Sequence, residues 1–572
     1  MINQFNYNRR TTHVVQIGSL PLGGQHPIRV QSMGNTDTND IQASAEQAKR
    51  IADAGGELVR FTTQGRKEAE NMKLIREALN EMGVQVPLVA DVHFQAGVAD
   101  VAAQHIEKVR INPGNYVDRS RTGKTVEYSD QEYAAELLRI HERFSSFLEI
   151  CKKHNTAVRI GVNHGSLSER IMGRYGDTPE GIVESCMEFL RICVEKEFTN
   201  VVISIKSSNV VVMVQTVRLF AEIMEHEHMT FPIHLGVTEA GDGEDGRIKS
   251  AAGIGTLLAD GLGDTIRVSL SEDPECEIPV AKTIVEYINK RTYHGLIQGE
   301  VHPPALVRNF RRTTIAVGNI GGDNVPVVLG KYGEFNDLIP DYVETDNGWI
   351  EPAGYWVPII ELATDELTPE RISFLPQQSV LMLTSEHVNL LGDFRAAIHR
   401  LMLAGAQQPV LIKINSKATN IEELQISTAV DLGALCLDGL IDGICILHKE
   451  IPTAACVETA FGILQATRLR TTKTEFISCP SCGRTMFDLQ STIAKVRAAT
   501  NHLVGLKIGI MGCIVNGPGE MADADYGYIG AGRGRVSLYK KQSCIEKNIP
   551  EDQAVDKLIE LIKLNGDWVD ME

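Results

Sequence analysis

The residues best suited to chemistry in this chain lie between positions 479 and 520. Cys479 and Cys482 stand in Cys479-Pro480-Ser481-Cys482-Gly483-Arg484, and a short turn brings both sulfurs to one side. Cys513 follows in a second Gly/Pro-rich turn, Met511-Gly512-Cys513-Ile514-Val515-Asn516-Gly517-Pro518-Gly519-Glu520. Three thiols on loops are a donor set for an iron–sulfur or zinc centre. No second CxxC follows, so a four-thiolate zinc ribbon is not completed in the expected way. Glu520 and Cys544 are the further candidates, and Cys544 reads as a bystander. On spacing alone, a CxxC is as readily a structural zinc half-site or a redox pair. The turn Asn516-Gly517-Pro518-Gly519 can present N–H groups to an anionic cluster. A carboxylate as fourth ligand would hold iron less firmly than thiolate and leave that iron open to exchange with a substrate.

Composition narrows the setting. The chain has 572 residues and is 43% hydrophobic, which allows two to four domains with cores of their own. A net charge of −18 argues against nucleic-acid or anionic-membrane partners. The opening residues Met1–Arg10 have no apolar h-region and no transit-peptide character, and no apolar run is long enough to span a bilayer. The 11 cysteines, an odd number over a long chain, suit a reducing cytoplasm.

The elements that must position this chemistry begin with residues 25–290, where short apolar runs alternate with amphipathic stretches. Candidate strands are Ile28–Met33, Leu58–Phe61, Leu88–Asp91, Lys108–Ile111, Val158–Val162, Val201–Ile205, Ile233–Val237 and Thr265–Leu270. Helical patterns intervene, as at Ile41–Ala54, Glu68–Met82, Glu132–His154, Glu180–Lys196 and Val211–His226. This alternation predicts an α/β chain with an N-terminal (β/α)8 TIM barrel. Polar residues gather at the strand ends, where such barrels keep their catalytic groups. Arg60, Arg110, Arg159, Lys206 and Arg267 recur at similar places in five units of an acidic protein. Each alone reads as a surface ion pair, but the set reads as a ring around an anion. Guanidinium forks match phosphate oxygens, so a diphosphate is the expected ligand.

The phrases Val30-Gln31-Ser32-Met33, Asp91-Val92-His93-Phe94, Arg110-Ile111-Asn112-Pro113-Gly114-Asn115, Arg159-Ile160-Gly161-Val162-Asn163 and Thr238-Glu239-Ala240-Gly241 resemble the substrate barrel of the 4-hydroxy-3-methylbut-2-enyl diphosphate synthase family. Gly512–Glu520 and the CxxC resemble that family's cluster domain. The resemblance implies a reductive enzyme of non-mevalonate isoprenoid synthesis, acting on 2-C-methyl-D-erythritol 2,4-cyclodiphosphate. It implies one [4Fe-4S] cluster held by Cys479, Cys482, Cys513 and Glu520, with electrons from flavodoxin or ferredoxin. By the same similarity the five cations hold the diphosphate with Asn112, Asn163, Ser207 and Ser269, and Asn516 joins the substrate contacts. The choice between Ser207 and Ser208 stays open. Glu239 is the candidate acid, and Asp91 and His93 orient either the substrate or the cation ring. A monomer or a homodimer is compatible with all of this.

The barrel is expected to occupy residues 1–295, an inserted α/β domain, open or barrel-like, 296–470, and an α+β iron–sulfur domain 471–572. In the middle segment strands are expected at Ser379–Leu383, Pro409–Ile414 and Gly443–Leu447, with helices at His387–Ala404, Asn420–Leu432 and Thr453–Arg468. Gly318–Gly322 reads as a turn, since no GxGxxG follows a strand. The inserted domain resembles that of the family's longer class, and its expected role is a spacer that lets a chain cover its own barrel. After Glu520, Tyr526–Tyr539 reads as a hairpin and Asp552–Leu564 as a closing helix. Two rival readings are a pterin-binding methyltransferase barrel with a zinc domain and an iron–sulfur redox sensor. The CxxxCxxC of radical enzymes that use S-adenosylmethionine is absent from the sequence.

Overall fold

The chain opens with an antiparallel hairpin, β1 (Val15–Ile17) and β2 (Leu20–Leu22). Its Val15, Ile17 and Leu22 pack against Leu58, Val89, Ala157 and Val202, near the strand starts of the barrel that follows. A computed structural model describes residues 2–570 except 119–126, 304–305, 307–308, 347, 352–353, 355, 486, 515–518 and 520.

The eight apolar runs form β3 (Arg29–Met33), β4 (Leu58–Thr63), β5 (Leu88–Val92), β6 (Lys108–Ile111), β7 (Ala157–Asn163), β8 (Val201–Lys206), β9 (Ile233–Leu235) and β10 (Thr265–Ile266). They close in the order β10-β3-β4-β5-β6-β7-β8-β9, with parallel neighbours throughout. The register sets Asp91 opposite Arg110, Arg110 opposite Arg159, and Asn163 opposite Lys206. Alternation of side chains along each strand then sends Arg110, Arg159 and Lys206 into the barrel. The expectation that the eighth strand reaches Leu270 needs correction. Strand pairing stops at Ile266, because the neighbouring β9 ends at Leu235, and Arg267 and Ser269 sit on the irregular chain beyond. Intervening helices begin where side-chain caps allow; Asp130–His154 starts in a capping box of Ser129 with Glu132.

Two compact units divide the chain. One contains the barrel with Lys473–Glu572, as Thr11–Gly246, Gly263–Lys282 and Lys473–Glu572. The other comprises Met1–Arg10, Arg247–Leu262 and Thr283–Thr472. This second unit carries β11 (Val327–Lys331), β12 (Tyr342–Thr345), β13 (Gly348–Ile350), β14 (Ile359–Ala363), β15 (Val380–Thr384), β16 (Val410–Asn415) and β17 (Gly443–Leu447). Their order is β13-β12-β11-β17-β16-β15-β14, and only β12 and β13 are antiparallel. This is the cyclic order of a barrel opened between β13 and β14, so the sheet is open rather than closed. Leu329, Tyr342, Val380, Met382, Leu411 and Cys445 fill it with apolar side chains. Lys413 on the inner strand β16 is paired with Glu361 at 2.9 Å. The segment Gly318–Gly322 is the expected turn, with Val317 bridging Ile320.

In the barrel's own unit, the last part of the chain forms β18 (Glu475–Ser478), β19 (Lys507–Met511), β20 (Tyr526–Gly532), β21 (Arg535–Lys540) and β22 (Ser543–Pro550). The sheet runs in that order, parallel to β20 and antiparallel thereafter. Helices Leu489–Thr500 and Glu551–Leu564 cover it around a core of Ile508, Tyr526, Tyr528, Leu538 and Leu558. Among the described residues, no helix is long and apolar enough to cross a membrane.

Candidate active site

The barrel mouth gathers the expected cations into a space with few counter-charges. Arg60, Arg110, Arg159, Lys206 and Arg267 are all buried. They line one cavity at the barrel mouth. Burial, then the charges of Arg60 and Arg110, push Arg159 well below its ordinary range. Its Nε and Nη1 find no hydrogen-bond partner among the described residues. Burial, then Arg60, Arg159 and Arg267, likewise lower Lys206. Burial brings Arg60 down to about 10, although Asp91 opposes the shift. Guanidinium groups stay protonated in proteins, so this concentration of charge favours an anionic occupant. The strands make room for it: a Cβ on Gly161 would lie 2.7 Å from Arg110 Nε.

Asp91 organises one side of the ring. Arg110 Nη1 donates to its Oδ1 at 2.9 Å, and Arg484 Nη2 donates to its Oδ2 at 3.3 Å. Burial opposes the Asp91 carboxylate, but Arg60 and Arg110 outweigh it and hold the group well below the usual carboxylate range. His93 Nε2 contacts Arg110 Nη1 and so acts as an acceptor, which places the ring proton on Nδ1. Burial and then Arg110 drop His93 to about 3, against the pull of Asp91, so the imidazole is neutral. Arg267 is fixed separately, with Nη2 donating to Glu277 Oε1 at 2.9 Å and Nε to Oε2 at 3.1 Å. Glu239 lines the same cavity at 3% exposure with φ at +49°, a backbone conformation that a non-glycine residue rarely adopts.

The facing wall of the cavity comes from the loops after β18 and β19. Cys479, Cys482 and Cys513 all line it, together with Pro480, Ser481, Met511 and Gly512. Gly512 N–H donates to Cys479 Sγ at 3.2 Å, and burial pushes the Cys479 thiol up to about 12. Cys482 and Cys513 share a hydrogen bond, and with Arg484 alongside, the thiolate is favoured at Cys482. Among the described residues no group of three or more His, Cys, Asp or Glu is arranged around one metal ion. A polynuclear cluster takes its thiolates on separate irons, so three half-buried cysteines from two loops fit it without meeting at one point. Cys544 lies on β22, opposite Tyr539.

These loops press on the barrel. Ser271 Oγ donates to the carbonyls of Ser478 and Cys479, each at 3.1 Å, and Ala240 bridges Ser478. A Cβ on Gly483 would lie 2.5 Å from Thr36 O, and one on Gly165 2.3 Å from Gly519 O. Glycine is required at these contacts because no side chain fits.

Of the expected substrate contacts, Asn163 and Ser269 line the cavity. Asn112 and Ser207 do not, because local structure engages their side chains. Asn112 Oδ1 accepts from Gly114 N at the start of a helical turn, and its Nδ2 donates to Ser166 Oγ. Ser207 Oγ accepts from Asn209 N at 3.0 Å. Neighbouring Ser208 is fully buried, and its hydroxyl has no hydrogen-bond partner among the described residues. Glu520 and Asn516 lie outside the described residues. Met33, Thr238 and Arg484 line the cavity without having been singled out from sequence. For Arg484 the signal was its place two residues after Cys482.

The GcpE TIM-barrel domain matches residues 12–282, and the GcpE protein C-terminal domain matches residues 475–564. A Bacteroides fragilis relative, named 4-hydroxy-3-methylbut-2-en-1-yl diphosphate synthase (flavodoxin), is 58% identical over 99% of this chain and 97% of its own length. The chain belongs to the GcpE family. Relatives of the same name from Porphyromonas gingivalis and Leptospira interrogans are 51% and 40% identical, each over 99% of this chain. They are covered over 100% and 98% of their own lengths. The two GcpE domain matches together supply every wall of the cavity described above.

Proposed function

We propose that this cavity binds 2-C-methyl-D-erythritol 2,4-cyclodiphosphate and converts it reductively to 4-hydroxy-3-methylbut-2-enyl diphosphate, a step of non-mevalonate isoprenoid synthesis. One observation carries this reading: a ring of buried cations and a set of three thiols face each other across one cavity. Family membership supports the same activity, and it lends no support to a pterin methyltransferase or a redox sensor.

In this reading Arg60, Arg110, Arg159, Lys206 and Arg267 neutralise the diphosphate, with Asn163 and Ser269 as hydrogen-bonding partners. Arg159, with two nitrogens unpartnered among the described residues, has donor capacity to offer. Asp91 and neutral His93 set the orientation of Arg110, so His93 serves the ring rather than donating a proton. Glu239 holds the proton that leaves with the substrate hydroxyl as water. The loop contacts at Ser271 and Gly483 exclude bulk water from the reacting carbons. Cys479, Cys482, Cys513 and Glu520 would hold one [4Fe-4S] cluster, which supplies electrons singly when bound. The relatives' printed name supports flavodoxin as donor, with ferredoxin in the same role as the other candidate.

We read the chain as a substrate barrel to about residue 295, an insert over 296–470 and a cluster domain from 471. The insert's apolar interior supports a spacer role without chemistry. The functional test is anaerobic reconstitution with metal and sulfide analysis, followed by turnover of the cyclic diphosphate with reduced flavodoxin. About four irons and four sulfides per chain with product formation are expected for such a cluster. Zinc in place of iron, or a loaded chain inert toward the cyclic diphosphate, would overturn the reading.

A further inference from the structure

The side chain of Arg484 joins the two halves of the cavity. It stands two residues after Cys482 and is 7% exposed. Its Nη2 donates to Asp91 Oδ2 at 3.3 Å, across 393 positions of sequence. The same guanidinium stands close enough to Cys482 to interact with it electrostatically. Its Nε has no hydrogen-bond partner among the described residues. The partner Asp91 is shared, since its other oxygen accepts from Arg110 at 2.9 Å. Arg110 in turn is one of the cavity's cations, and its Nη2 donates to Gly161 O at 2.9 Å.

We infer that Arg484 is a positioning residue that ties the CxxC loop to the barrel through Asp91, and that an anion in the cavity tightens this tie. The inference rests on the functional reading above. The argument is one of competition for a single carboxylate. Arg110 and Arg484 both lean on Asp91, and His93 Nε2 lies 3.4 Å from the oxygen that Arg484 uses. A diphosphate beside Arg110 gives that guanidinium oxygens of its own. Asp91 is then left to Arg484, whose free Nε can face the same anion. A buried carboxylate–guanidinium pair is strong only when neither partner is overdrawn. Anion binding is therefore read out as the placement of the loop that carries Cys479 and Cys482. The contacts of Ser271 and Gly483 dock the loop but carry no charge, so they cannot respond to an anion in this way.

The test is amide hydrogen exchange of segments 479–485 and 511–514 in the reconstituted holoenzyme, with and without inorganic diphosphate as an unreactive anion. In the unaltered chain diphosphate should slow exchange in segment 479–485 by about tenfold, the scale of one charge-assisted bond. In Arg484→Gln that protection should fall below about twofold, while Arg484→Lys keeps part of it. Asp91→Asn lies in the barrel, away from the thiols, and should lose protection to the same extent; the double variant should lose no more. Iron and sulfide content and circular dichroism identify any variant that fails to load or fold, and Asp91→Asn then carries the test. Full protection in a folded Arg484→Gln or Asp91→Asn chain would overturn the inference. So would diphosphate that binds the unaltered chain without slowing exchange. Failure of diphosphate to bind at all would overturn the functional reading and this inference with it.

Discussion

A Cβ on Gly236 would stand 2.5 Å from Lys206 Nζ. The same atom would lie 2.8 Å from the carbonyl oxygen of Arg267, which is backbone and cannot swing away. Gly236 thus opens the place where the Lys206 ammonium sits. Gly236→Ala should displace Lys206 and the chain at Arg267 together. Overpacking of this kind costs about 1–3 kcal/mol of stability, and the displaced ammonium should weaken diphosphate affinity by roughly tenfold, the scale of one charge-assisted contact. Titration calorimetry with inorganic diphosphate would check it; unchanged affinity would remove Lys206 from the anion site.

Arg159 is buried with two nitrogens lacking partners among the described residues, between other cations that repel it. Arg159→Met should therefore stabilise the chain without ligand, by about 1–3 kcal/mol, since an uncompensated buried charge is replaced by an apolar group of similar length. The same change should remove most of the thermal stabilisation that diphosphate gives the unaltered chain. Melting curves with and without diphosphate separate the two effects. A variant that is both less stable and fully responsive to diphosphate would show that Arg159 is structural.

Eight strands of the barrel could be placed from sequence because each is almost wholly buried and sets apolar residues in a short stretch between helical patterns. The insert yielded only β15, β16 and β17; β11 was missed although residues 327–330 are buried. Its β12 and β14 are half-exposed and carry Tyr342-Val343-Glu344-Thr345 and Ile359-Ile360-Glu361. The last strand, β22, is an edge with Glu546, Lys547 and Asn548 exposed, so no apolar period marks it. In the site, side-chain type and strand-end position sufficed to foresee that the five cations and the thiols come to one cavity. They did not suffice for Asn112 and Ser207, whose residue types serve ligands and caps equally well. Nor could they find Arg484, whose partner Asp91 is remote in sequence and depends on how the loop meets the barrel.

His93 gives the barrel a defined acid sensitivity. Its folded-state value of about 3 lies below the ordinary 6.5, owing first to burial and then to Arg110. Between those values the unfolded chain binds a proton that the folded chain refuses, so stability falls as pH drops through 6.5 toward 3. At pH 5 this one group should have cost about 2 kcal/mol relative to pH 8. His93→Gln, which removes the titration and keeps a polar side chain, should flatten the dependence of melting temperature on pH between 7 and 5. An equally steep profile in the variant would mean that His93 already accepts its proton in the folded chain.

The cavity joins barrel residues such as Arg159 to Cys482 of the same polypeptide, and Ser271 and Ser478 seal the junction with a hydroxyl–hydroxyl contact of 2.8 Å. Among the described residues, every wall of the cavity comes from one polypeptide. Two defective chains should therefore fail to repair each other. Arg159→Met removes the anion ring and keeps the thiols, whereas Cys482→Ala removes a thiol and keeps the ring. When the two are co-expressed and reconstituted together, turnover of the cyclic diphosphate should stay at the level of the separate variants. If the cluster loops of one chain instead closed over the barrel of a partner, a mixed dimer would contain one intact site and activity would return. The comparison is independent of whether the chain is a monomer or a dimer, because it asks only which polypeptide contributes each wall.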